Sequence, residues 1–194
     1  MLLSIYDISA PVFRQYLAAF SDVLAKAQVH CDSGALAEAE LIGFRLHPDM
    51  EPFAFQVRQA LVHSAAMVGV LRGQSYPRAE GLQTLKDCRA AVDAAVTYMD
   101  AATPADLSID PGADVGLYEP PGATMTAGNF LLKLSYGHFF FHITTAYDIL
   151  RHLGVVIGKN DFMGDVPVKA PGSRGLQGGA PERIECPSVS GALD

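Results

Sequence analysis

Six histidines stand in a chain of 194 residues: His30, His47, His63, His138, His142 and His152. His138 and His142 are spaced i and i+4. On a helix that spacing brings both imidazoles to one face, one turn apart, where they can share a divalent ion at about 2.0–2.1 Å per nitrogen. Phe139, Phe140 and Phe141 lie between them, and Thr145 and Ile149 continue the His142 side, so the pair is expected to point inward. An inward pair needs partners. His63, flanked at helical spacing by Ala60 and Met67, is the candidate third ligand from another helix. Three histidines leave a fourth position for water or substrate, which marks a catalytic site rather than a closed structural one. Three hydrogen-bonded core histidines would show the same spacing, and spacing alone leaves both readings open.

Four further residues are candidates for a pocket mouth: Arg45 and Asp49, which flank a turn, and Tyr147 and Arg151, one turn apart on the helix of the histidine pair. The alternative for these four is an ion-pair and hydrogen-bond network tying loop to helix. Cys31, Cys88 and Cys186 are an odd number without metal-binding spacing and read as reduced thiols. Gly158-Lys159-Asn160-Asp161 reads as a turn with a solvated lysine, since its glycine spacing is not that of a phosphate-binding loop. No nucleophile elbow or dinucleotide fingerprint is present.

These residues need helices to position them. Apolar residues recur at helical spacing over 12–27, with Ser9 as the expected N-cap and Pro11 in the first turn. A short helical piece over 36–44 leads to a turn at Arg45-Leu46-His47-Pro48-Asp49-Met50. The second long helix spans 52–71 and carries His63, with Gly73 as its C-terminal cap. The third starts at Thr84, which pairs with Asp87 as a capping box and is followed by an apolar face through Leu85, Cys88, Val92, Ala95, Val96 and Met99. Residues 101–125, with Pro104, Pro111, Pro120 and Pro121, form a long connection with short extended pieces expected at 107–109 and 115–118. The fourth helix spans 126–153, with Gly137 as its one weak interior position and Gly154 as its end. The expected fold is all-α: an up-down four-helix bundle over residues 1–164, followed by a flexible Gly/Pro-rich tail over 165–194 that holds no aromatic residue.

Composition limits the partners. With 14 Lys+Arg against 21 Asp+Glu the net charge is −7, which gives no basic footprint for nucleic acid or an anionic membrane. The most apolar stretch, 139–157, carries His142, Asp148, Arg151 and His152, so no membrane span is expected. Met1 to Asp7 lacks a basic n-region, and a cytoplasmic location is expected. Only 18% of residues are charged, and with a mean hydropathy of +0.19 this favours a homodimer that buries further surface.

The run His138-Phe-Phe-Phe-His142-Ile-Thr-Thr-Ala-Tyr147-Asp-Ile-Leu150-Arg151-His-Leu-Gly154 resembles the last helix of the DinB/YfiT-like superfamily of metalloenzymes. Arg45-Leu46-His47-Pro48-Asp49-Met50, Gln56-Val57, Leu71-Arg72-Gly73 and Gly158-Lys159-Asn160-Asp161-Phe162-Met163-Gly164, in that order, resemble more closely the domain-of-unknown-function family numbered nineteen ninety-three. The resemblance covers residues 1–164. It implies a four-helix bundle, frequently dimeric, with a divalent-ion site at His63, His138 and His142. For the wider superfamily it implies a metal-dependent transferase or isomerase that uses a small-molecule thiol; on that reading zinc or nickel is the ion expected at the three histidines, and the catalytic residues are unknown. The competing expectation is a metal-free dimeric binding or interaction module.

Overall fold

The computed structural model describes residues 3–76, 79–117 and 121–166. It is mostly helical, with one two-stranded sheet. Helix α1 (Ala10–Asp32) carries Pro11 in its first turn, where a missing N–H is no loss, and buries a stripe through Phe13, Leu17, Phe20, Leu24 and Ala27. Ser9 holds the N-cap position, but its hydroxyl donates to the Tyr6 carbonyl at 3.3 Å and accepts nothing from the helix, so the expected side-chain cap is not made. Short α2 (Glu38–Gly43) buries Leu41.

Helix α3 continues over residues 53–71, although not as the regular helix expected. A π-helical segment, Val62–Ala66, lies between α-helical Phe53–Leu61 and Met67–Leu71. Its end is a Schellman motif: the Gly73 N–H donates to the Val70 carbonyl at 3.0 Å and the Gln74 N–H to that of Gly69 at 2.8 Å. The motif needs φ +64° at Gly73, a region that only glycine enters without a Cβ penalty. Helix α4 (Leu85–Asp100) starts with the expected capping box: Thr84 Oγ1 accepts from the Asp87 N–H at 3.0 Å and the Asp87 carboxylate from the Thr84 N–H at 2.9 Å.

In the connection that follows, β1 (Asp114–Gly116) pairs antiparallel with β2 (Thr124–Thr126), Val115 facing Met125. The extended piece expected at 107–109 belongs to neither strand of the described sheet: Leu107 closes a turn with its side chain buried, and 108–109 have no regular structure. Tyr118, at the end of the other expected piece, lies outside the described residues. Helix α5 covers residues 127–152, again with a π-helical segment, Phe130–Ser135, between Ala127–Asn129 and Tyr136–His152. Gly154 ends it in a second Schellman motif, its N–H donating to the Arg151 carbonyl at 3.1 Å and that of Val155 to Leu150 at 3.0 Å.

The turn expected at 158–161 is the start of a short helix, α6 (Lys159–Met163), with Lys159 exposed. Contacts that hold α6 on α1 include Lys26 with Asp161 at 2.5 Å, Gln15 Nε2 on the Met163 carbonyl at 2.9 Å, and the Phe162 ring against Tyr16. Helix α1 packs along α4, α3 packs along α5 and also meets α4, and the rings of Phe13 and Phe139 close α1 onto α5 at 5.0 Å. Cys31 and Cys88 are free thiols, whereas Cys186 and the tail from residue 167 onward lie outside the described residues. Among the described residues no helix is long and apolar enough to cross a membrane.

Candidate metal centre

His63, on the π segment of α3, meets His138 and His142, on the regular part of α5. Each offers a nitrogen, and these nitrogens all lie within 4.8 Å of one another. The His63 ring stacks on His138 with centroids 4.2 Å apart and planes 12° from parallel, and lies 5.9 Å from His142. The three histidines read from spacing are therefore one cluster.

The pair does not point inward as expected. Helix α5 turns Phe139, Ile143, Ala146 and Leu150 into the core, one apolar stripe at helical spacing, and this leaves His138 exposed and His142 half-buried at the rim. Phe141 is 56% exposed beside them. His138 and His142 line an open surface pocket of about 510 Å³ together with Lys133, Gly137 and Phe141. A small molecule has access to it.

His142 is held from behind. Its Nδ1–H donates to Gln56 Oε1 at 2.7 Å, and Gln56 Nε2 donates to the Glu51 carbonyl at 2.8 Å. The carbonyl can only accept, so it fixes which end of the Gln56 amide faces the histidine, and the amide oxygen in turn fixes the proton on Nδ1. Nε2 of His142 is thereby left with its lone pair free for an ion, the outer-shell arrangement that orients metal-ligating imidazoles. Gln56 is itself buried. Sequence reading gave it no role, although a position seven residues before His63 lies near the same helix face.

Nδ1 of His63 is buried and has no hydrogen-bond partner among the described residues. Burial first, then the neighbouring His138 and His142, pushes His63 down to about 4, and burial followed by His138 pushes His142 down to about 4. Both rings are neutral at pH 7, as nitrogen ligands must be. Among the described residues the thiols stay protonated at pH 7: burial pushes Cys88 up to about 12, and burial with Glu38 and Asp32 nearby raises Cys31.

The two π segments bracket the site. Each carries a fully buried serine whose hydroxyl donates to a carbonyl of the widened turn, Ser64 to Ala60 at 2.6 Å and Ser135 to Phe130 at 3.0 Å. Such segments are rare in helices and recur at functional sites. Lys133 and Gly137 are pocket residues that sequence reading did not assign.

Arg45, Asp49, Tyr147 and Arg151 make local contacts. Arg45 bonds the Met50 carbonyl and pairs with Glu51 at 3.4 Å, and Asp49 pairs with His47. Tyr147 meets the Phe162 ring at 5.5 Å, and Arg151 bonds the Ile157 carbonyl. Arg45 thus braces the loop whose Glu51 carbonyl holds Gln56.

No protein of curated function matches the chain. The crystal structure of a DinB family member protein from Shewanella denitrificans, at 1.83 Å resolution, is similar over 86% of this chain and 95% of that one, with 28% identity and a TM-score of 0.79. The order of helices, the capped turns and the histidine cluster all fall within residues 5–163, which match one family over that whole length: the chain belongs to the family described as Domain of unknown function (DUF1993).

Proposed function

We propose that this chain is a divalent-metal-dependent enzyme of the thiol-dependent transferase or isomerase type, built on an up-down four-helix bundle, with zinc or nickel held by His63, His138 and His142. The observation that carries the reading is the convergence of three imidazole nitrogens from two helices, one of them on a ring with a buried, unpartnered Nδ1, beside an open pocket. The donor set suits a borderline ion, and three protein ligands leave a place for substrate. When bound, the ion supplies Lewis-acid charge that lowers the pKa of a thiol or water at that place. The chain's own residues do the rest. Gln56 keeps the proton of His142 on Nδ1, the core behind Phe139 keeps water from the inner side of the cluster, and the exposed face of His138 admits substrate.

The test is elemental analysis of untagged protein purified without chelator. About one ion per chain is expected, none after His142→Ala, and binding weakened about 10- to 100-fold after Gln56→Leu. Full metal content in His142→Ala would overturn the assignment.

A second reading, a metal-free dimeric binding module, draws support from the apolar side chains of Leu132 (52% exposed) and Phe141 (56% exposed) on α5. Sedimentation separates the two. A dimer that persists when Phe141→Ser and Leu132→Ser are introduced, in protein that carries metal, would remove this support.

A further inference from the structure

Lys133 lines the same pocket as His138 and His142, yet a regular helix would put residues 133 and 142 half a turn apart, on opposite faces. The π segment Phe130–Ser135 underwinds the chain between them and turns Lys133 toward the histidine face. Among the described residues Lys133 has no hydrogen-bond or ion-pair partner, so its ammonium is free for a ligand. No carboxylate lines the pocket, and a set of imidazole ligands carries no negative charge to compensate that of an ion at the cluster. In a chain of net charge −7 this is a local field of the opposite sign.

Gly137 completes the wall. A mid-helix glycine costs about 1 kcal/mol against alanine. A Cβ added here would meet nothing within 4 Å, so packing within the chain does not require the glycine; its missing side chain leaves space in the pocket between Lys133 and Phe141.

We infer that the site takes a small anionic ligand that places one donor atom at the histidine cluster and a second, negatively charged group on Lys133, its apolar body lying over Gly137 against Phe141. This rests on the metal reading above and names the ligand class for the same site. The probes are succinate and its half-amide, succinamate, which share a carboxylate donor and differ in the charge at the other end. They are titrated into protein loaded with Co²⁺, with the visible absorption of the ion as readout. Succinate is expected to bind about fivefold more tightly than succinamate, the scale of one partly exposed charge pair. Lys133→Gln should abolish that preference with Co²⁺ stoichiometry unchanged, and Lys133→Arg should retain it. Equal binding of the two probes to loaded parent protein, or a preference that survives Lys133→Gln, overturns the role of Lys133 alone. Failure of the parent to bind Co²⁺ overturns both this inference and the metal reading.

Discussion

The imidazoles of His63 and His142 do two things that follow from their partial burial. Crowded and half-desolvated rings resist protonation, so they stay neutral and ready for an ion at pH 7, and they also make the metal-free fold sensitive to acid. His63 and His142 titrate at about 4 in the fold, against about 6.5 in an unfolded chain. As pH falls, the unfolded state takes up protons first. Their contribution is therefore intact above about pH 6.5 and is lost as pH falls from there toward about 4. Urea midpoints of metal-free protein should decline across that window, and His63→Leu should make the decline shallower; a parent midpoint that stays level from pH 7 to 4.5 would contradict the burial of these rings. At this scale the sequence was informative about identity and not about surroundings. The i, i+4 pair and the lone mid-helix histidine were readable from spacing. The exposure of His138 was not, because three successive phenylalanines look equally apolar in a sequence, whereas the fold buries Phe139 and leaves Phe141 in water.

The elements show why some local structure was readable and some was not. The capping box at Thr84 and Asp87 and the glycine stops at Gly73 and Gly154 are set by chemistry within four residues of themselves, so their residue types announce them. The π segments carry no such mark. Their residues are ordinary helix formers, and one extra residue in a turn only shifts the phase of an apolar pattern that remains periodic on either side. That shift is what hid Lys133. The buried serines are the nearest thing to a signal, since a hydroxyl at zero exposure must find a carbonyl. Ser135→Ala should accordingly cost about 1–3 kcal/mol by chemical denaturation, because a buried carbonyl loses a donor. It should also weaken ion binding, since Ser135 lies just before the turn that carries His138. Unchanged stability would show that the hydroxyl does not hold the widened turn.

At the scale of the whole molecule, the candidate ligands join two helices that are distant in sequence. His63 comes from α3 and the pair from α5, so an ion between them would bind the folded chain and find no assembled site in the unfolded one. Binding to the folded state alone adds stability as RT ln(1 + [L]/Kd), about 2.7 kcal/mol when free ion stands at 100 times Kd. For a domain of this size each kcal/mol moves the midpoint by roughly 2–4 °C, so chelator should lower Tm by about 5–10 °C. The His142→Ala variant should melt at the same temperature with and without chelator, which separates loss of a bound ion from any direct action of the chelator on the protein. The shift should also grow with free-ion concentration by the logarithm above, whereas a core of hydrogen-bonded histidines would give one Tm at every concentration. Scanning calorimetry of parent and variant across a metal-buffer series reads both quantities. A parent Tm independent of free ion would mean that α3 and α5 are joined by packing alone and that the histidines belong to the pocket and not to a metal.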